Sequence, residues 1–364
     1  MEQLKKTPLF SAHESLHALL APFGGWEMPI QYETGIIAEH RWCREQAALF
    51  DICHMGEFLY EGDIEAGGLE QVFTFSVKSI PVGRSRYGFL LNENGGVIDD
   101  LIAFRLAEDR VMVVVNAATI ANDFKVISSR LTGAACFTDI SGATAKLDLQ
   151  GPHARAVLTK FFGEEPGKLP YFRFTETTLL GSRAVVSRTG YTGELGYEIF
   201  LPAEKVNELW ALLLSDERVR PAGLGARDIL RLEVGYSLYG SDIDGITTPL
   251  EAGLDQFVNF DKEFVGREAL LRQRQEGLPR CRIAFKVGSR RAPRHGYDIL
   301  CGGEKAGTVT SGAFSPMLGC GIGIGFVTPA AASAGPALTI CHEKVAMDAA
   351  LCDLPFYRDG SLRS

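Results

Sequence analysis

Two adjacent aspartates, Asp99 and Asp100, follow a glycine-rich turn in RYGFLLNENGGVIDDLIAFRL, residues 86–106. The segment reads as two β-patterned runs joined at NENGG, with glycine supplying positive φ in a hairpin. Alternation puts Ile98, Asp100, Ile102, Phe104 and Leu106 on one side and Val97, Asp99, Leu101, Ala103 and Arg105 on the other. Asp100 therefore falls on the more apolar face, where a carboxylate must be paired, bonded to a ligand, or raised in pKa by desolvation. The competing reading is a cap on a backbone group at a sheet edge. Asp99 reads as facing solvent or forming the turn. Two adjacent acids also suit a metal, but no His cluster accompanies them.

Three other segments carry polar groups in chemically useful patterns. VMVVVNAAT is too continuously apolar for a one-sided strand, so it reads as central and buried up to Asn116. An Asn there offers a donor and an acceptor, suited to an amide-like heterocycle edge or simply to a turn backbone. SRTGYTGELGYEIF spaces Gly190, Gly193 and Gly196 among Tyr191, Glu194, Tyr197 and Glu198. That spacing is not a dinucleotide fingerprint, so the glycines mark close backbone approach or ordinary turns. Rings beside a carboxylate make a slot for a flat ligand with an amino-amide edge. In PAGLGARDILRLEVGYSLYG, Gly225 precedes a helical stretch with Arg227 and Arg231 flanking Asp228. Intrahelical ion pairing accounts for that pattern unless an Arg is aimed into a cleft. Finally, SRRAPRH gathers Arg290, Arg291, Arg294 and His295, either as a solvated loop or as a patch that steers an acidic protein or polyanionic cofactor.

The elements that must hold these groups alternate irregularly, which indicates an α+β protein. Helical patterns fall near 34–49, 64–74, 152–162, 204–214 and 267–276, between strand-like runs such as RYGFLLN, VMVVVN and RAVVSRTG. Val206, Leu209, Trp210 and Leu213 follow i, i+3, i+4, i+7 spacing, and Pro152 sits where a helix can begin. Gly277 and Pro279 end the last helix, and a strand-rich tail of short runs and glycine turns follows. This divides the chain into 1–276 and 277–364, the second part a small barrel or sandwich.

Composition bounds the function. The 364 residues are 46% hydrophobic and 23% charged, as in a soluble globular protein. Lys plus Arg is 37 against 45 Asp plus Glu, a formal net charge of −8 that excludes general nucleic-acid binding. No apolar run reaches the roughly 20 residues that span a bilayer, and the N-terminal residues lack a secretory h-region. Eight scattered cysteines without a CxxC pair read as reduced thiols of a cytoplasmic protein.

In order along the chain, GWEMP, FDICHMGE, NENGGVIDDL, SRTGYTGE, PAGLGARD, FVGREAL, TSGAFSP and PFYR resemble the aminomethyltransferase (T-protein) family of the glycine cleavage system, from Thr7 to about Arg358. The resemblance implies a three-domain cloverleaf around a central folate channel, with a small C-terminal β-barrel after two interleaved α+β subdomains. It implies transfer of the aminomethyl carbon from the lipoyl arm of H-protein to tetrahydrofolate, with no metal. Asp100 falls on the family's essential aspartate. Met55, Tyr87, Val114, Asn116, Tyr171, Tyr191, Glu198, Arg227 and Tyr236 are implied to line the folate site, with Arg358 joining from the C-terminal end. Glu198 would accept the pterin donors with both oxygens. Relatives of this fold leave two alternatives: a folate-dependent demethylase with another donor, and a non-catalytic folate-binding protein. The latter carries KGCYxGQE where this chain has SRTGYTGE.

Overall fold

The structure is a computed structural model that describes residues 3–133, 135–333 and 337–363. Three β-structures dominate it: a six-stranded sheet, a five-stranded sheet and a closed six-stranded barrel, with a two-stranded ribbon Leu19–Phe23/Trp26–Gln31 at the N-terminal end. The α+β reading and the C-terminal barrel are both borne out.

Topology explains how the sheets interlock. Ala47–Asp51 and Thr144–Gln150 are neighbouring strands of the six-stranded sheet, with Phe50 opposite Asp148. The strands of the five-stranded sheet, from Gly56–Glu61 to Cys136–Asp139, lie between them in sequence. Val97–Ala107 and Arg110–Val115 pair near the centre of that sheet, so the continuous apolar run is central as its pattern indicates.

Each body has its own core. Alternation in Thr144–Gln150 sends Ala145, Leu147 and Leu149 into the six-stranded sheet's core, where Val206, Leu209, Trp210 and Leu213 of helix Val206–Leu214 meet them. The other face of that sheet is covered too. Phe174 and Phe200 pack against Phe104, Met112 and Val114 of the five-stranded sheet, forming an apolar seam between the two. Helix Leu224–Glu233 joins the six-stranded sheet to the barrel, since Arg227 meets Asp148 while Arg231 reaches Asp242 and Ser311 of barrel strand Glu304–Ser315. Its glycines permit this approach: a Cβ at Gly223 would stand 2.3 Å from the Ile30 carbonyl oxygen, and one at Gly225 would stand 2.5 Å from Ile36 Cδ1.

The helical patterns correspond to helices Ile36–Glu45, Ala154–Phe162, Val206–Leu214 and Arg267–Glu276, while Phe10–Ser15 and Ile120–Arg130 are further helices that the pattern reading lacked. The pattern at 64–74 yields only the 3-10 turn Leu69–Gln71. Gly68 at φ +77° and the contact of Gly67 with Tyr60 break it, because a Cβ at residue 67 would fall 1.9 Å from the phenol oxygen. The helix read after Gly225 begins at Leu224 and includes that glycine.

Candidate active site

Cross-strand registers assemble the site from short sequence signals. On the five-stranded sheet, Tyr87, Ile102, Val114 and Glu57 stand opposite one another in one row, and Phe89 and Asp100 begin the next. On the six-stranded sheet, Ser187, Glu198, Asp148 and Phe50 form the facing row. The seam between the rows opens where Met55, Tyr87, Asp100, Asn116, Tyr191, Arg227 and Tyr236 are half-buried.

Asp100 is gripped from two sides. Tyr87 donates its hydroxyl to Oδ2 at 2.9 Å, and Asn116 Nδ2 donates to Oδ1 at 2.8 Å and to the backbone carbonyl at 3.0 Å. Burial, reinforced by the neighbouring Asp99 charge, still pushes its carboxyl up to about 7. The sheet-edge cap is thereby replaced by a tertiary network.

Asp99 corrects the sequence reading. It is fully buried, not turned to solvent, and accepts Asn116 N on Oδ2 at 2.9 Å and Asn116 Nδ2 on Oδ1 at 2.8 Å. Alternation assigned the two faces properly, but the face carrying Val97, Asp99, Leu101, Ala103 and Arg105 is the more buried one. Asp100 faces the seam, which is open at this point, whereas Asp99 faces the interior of its own sheet's core.

The aromatic wall is continuous. Tyr191 and Tyr236 stack with centroids 5.8 Å apart, and the Arg227 guanidinium lies over Tyr191 at 5.1 Å. Tyr171 stands near Tyr236 at the outer end of this wall, and desolvation of its hydroxyl drives its phenol upward. Tyr191 donates to the Ser237 carbonyl, and its phenol is raised by burial and also by the Asp100 charge. Gly190, Gly193 and Gly196 do serve close approach, but the neighbours are protein: Gln150 would meet a Cβ at 190 or 196, and Val234 one at 193.

A buried ionic group completes the seam. Glu198 accepts the Thr189 hydroxyl and lies 4.0 Å from Lys146 Nζ. Lys146 is itself 3.9 Å from Glu57 Oε1 and 3.3 Å from the Met55 sulfur. Burial lifts Glu57 to about 8 against the pull of Lys146, and its Oε1 has no hydrogen-bond partner among the described residues. Asp148 pairs with Arg227, accepts Gln150 Nε2 at 2.5 Å, and is raised by burial to about 6. Arg227 thus forms a tertiary pair, whereas Arg231 does bond Asp228, at 2.9 Å, in addition to Asp242.

Ten of the eleven expected residues gather along this seam, from Asp100 to Tyr171. Arg358 does not join them: it is exposed and makes no hydrogen bond or ion pair to the others among the described residues. Glu57, Lys146 and Asp148 were missed. In TAKLDLQ, alternation signals Lys146, Asp148 and Gln150 on one face, a pattern that reads as solvent until a second sheet is known to cover it.

The profile of the GCVT N-terminal domain matches residues 9–262, and that of the glycine cleavage T-protein C-terminal barrel domain matches 280–358. The chain belongs to the aminomethyltransferase family of the glycine cleavage system. It is 44% identical to the aminomethyltransferase of Halothermothrix orenii over 97% of this chain and 100% of that protein. Identity to the aminomethyltransferase of Thermotoga maritima is 39%, covering 99% of both chains. The crystal structure of glycine cleavage system aminomethyltransferase T from Bartonella henselae superposes with a TM-score of 0.93 at 36% identity, covering 98% of this chain and 99% of that one. The chain is accordingly an enzyme with aminomethyltransferase activity. No described helix is long and apolar enough to cross a membrane.

Proposed function

We propose that the enzyme takes the aminomethyl group on the lipoyl arm of H-protein, passes its carbon to tetrahydrofolate, and releases 5,10-methylenetetrahydrofolate, ammonia and dihydrolipoyl H-protein. The observation that carries this reading is Asp100, tied to Tyr87 and Asn116 at the open end of a seam that also holds Glu198, Arg227 and the tyrosine wall. The seam suits the substrate chemically: Glu57 Oε1 is a buried acceptor without a hydrogen-bond partner among the described residues, and the nearest carboxylates to Lys146 stand off at 3.9 and 4.0 Å.

Tetrahydrofolate supplies the nucleophilic nitrogen. Asp100 stabilises the positive charge that develops as the aminomethyl carbon loses its leaving group, and its carboxyl, raised to about 7, can hold or release a proton. Tyr87 and Asn116 fix its orientation. Glu198 accepts donors from the pterin edge, and Met55, Val114, Tyr171, Tyr191, Arg227 and Tyr236 align the ring and exclude water. The exposed loop bearing Arg290, Arg291, Arg294 and His295 is the docking patch for H-protein, supported by its concentrated positive charge. We place the domain boundary at 276/277, where helix Arg267–Glu276 ends, and the enzyme in the cytoplasm, in keeping with eight free thiols.

The test is ammonia release from aminomethyl-loaded H-protein with and without tetrahydrofolate. Folate-dependent release coupled to methylenetetrahydrofolate is expected. Absence of release from a chain that still binds folate would overturn the donor assignment.

A further inference from the structure

The loop 188–195, which carries Tyr191, is tied from behind by a segment that arrives from the barrel. Residues 353–363 leave barrel strand Val345–Cys352, and Phe356 seats them among Ile229, Leu232 and Ala313. Tyr357 N then donates to the Glu233 carbonyl at 2.8 Å, and the Arg44 guanidinium lies over the Tyr357 ring at 4.5 Å. Gly360 passes so close to the loop that a Cβ there would stand 2.3 Å from the Gly193 carbonyl oxygen. Ser361 makes the tie itself. Its N–H donates to Glu194 Oε2 at 2.8 Å, its hydroxyl donates to the same oxygen, and its Oγ accepts the Leu195 N–H at 3.0 Å. At the head of the loop, Arg188 Nη2 donates to the Leu362 carbonyl at 2.9 Å.

Glu194 is buried, and its other oxygen accepts Arg44 Nη1 at 2.7 Å. Arg44 also donates to the Thr192 carbonyl at 2.8 Å and pairs with the buried Glu233 at 2.7 Å. Both oxygens of Glu194 are thus engaged by donors of the protein. We propose that Glu194 is a positioning residue: held between Arg44 and Ser361, it fixes the loop so that Tyr191 stands against Tyr236 and Arg227, ready to receive tetrahydrofolate. The loop needs such a tie. Gly190 and Gly193 bracket Tyr191, Gly193 lies at φ +78°, and glycine backbone loses the most conformational freedom on ordering. The tie sets that order before the ligand arrives, so affinity is not reduced by the fraction of molecules in which Tyr191 is out of place. Once the ligand is bound the loop is ordered with or without the tie, so the effect falls on binding and not on the chemical step.

This role rests on the reading of Tyr191 as part of the folate wall, and calorimetry of tetrahydrofolate binding to the full chain separates the two. Tyr191→Ala tests the wall and weakens binding about tenfold. Ser361→Ala removes the hydroxyl that joins Glu194 to Leu195 but keeps its N–H, and raises the dissociation constant about threefold or more. Glu194→Gln, which loses the charge between Arg44 and Ser361, raises it about tenfold. In folate-dependent ammonia release both variants show the rise in KM for tetrahydrofolate, with kcat within about twofold of wild type. The decisive comparison is Ser361→Ala in the Tyr191→Ala background, where it has no further effect because the ring it positions is gone. A second, additive loss there overturns the positioning role, since a general weakening of the fold would add. Wild-type affinity in both Ser361→Ala and Glu194→Gln, with Tyr191→Ala impaired, overturns the tie and leaves the wall standing. Wild-type affinity in Tyr191→Ala overturns the wall and the tie with it. Should Glu194→Gln fail to fold, Ser361→Ala decides alone.

Discussion

Asp100 near neutrality is divided between acid and carboxylate, because burial brings its pKa to about 7. Electrostatic support of a developing cation needs the charged form, so kcat should climb as pH rises through about 7 and then level. Asp100→Asn should lower turnover about a hundredfold while leaving folate affinity within a few fold, and it should abolish that climb. A pH series of ammonia release on both proteins checks this; an unchanged profile in the variant removes Asp100 from the chemistry. Glu198 works on binding instead. Removing one charged acceptor of a bidentate contact weakens a ligand by about tenfold or more, so Glu198→Gln should show its loss in the folate dissociation constant measured by calorimetry. Asp100 was legible from alternation because one residue step decides its face. Its partner Asp99 was not, since a fully buried acid is disfavoured until the Asn116 donors that satisfy it are located.

Helix Leu224–Glu233 shows how an element can be legible in kind but not in purpose. PAGLGARD announces a helix start, and Arg227 with Arg231 suggested pairing along the helix surface. The tertiary partners Asp148, Asp242 and Ser311 lie 79, 11 and 80 residues away, beyond the reach of local periodicity. Gly223 is where this element is least tolerant, because the obstruction to a Cβ is the Ile30 backbone. Gly223→Ala should cost about 1–3 kcal/mol of stability by overpacking, visible as a lower denaturation midpoint. An unchanged midpoint would mean that the helix and the strand Trp26–Gln31 slide apart freely. Thr144–Gln150 teaches a related lesson. Its Ala-Lys-Leu-Asp-Leu alternation gives the register correctly, yet it implies one wet face only when a sheet has one covered side.

Across the whole molecule, oppositely shifted groups should shape stability into a dome whose maximum lies on the acid side of neutrality, because the buried acids with raised values outnumber the one depressed histidine. On the alkaline side, Glu57 at about 8 and Asp100 at about 7 have folded-state values raised above those of the unfolded chain. Their contribution declines from the unfolded-chain values near 4 upward and is gone once pH has risen through about 7 to 8. On the acid side, burial depresses His54 to about 3, while the unfolded chain takes up a proton below about 6.5, so the contribution of His54 itself falls as pH drops below that value. Asp51 adds to the acid limb: despite burial, its bonds from His13, the Cys53 N–H and Thr7 hold it low. Urea titrations from pH 4 to 9 trace the dome, and stability rising steadily to pH 9 would contradict the buried acids. At the molecular surface, reversing Arg290, Arg291 and Arg294 to Glu should raise KM for H-protein without altering folate affinity. Unchanged kinetics would move the docking face elsewhere. The interruption of one sheet by another also sets an order of events during synthesis. Phe50 cannot meet Asp148 until the ribosome has delivered everything between them, and closing that long a loop is entropically slow unless it is already compact. The five-stranded lobe therefore folds first, shortening the gap, and the flanking strands then zip together around its base. The seam comes into being only at that late step, so nascent fragments ending before residue 148 should carry no folate site at all.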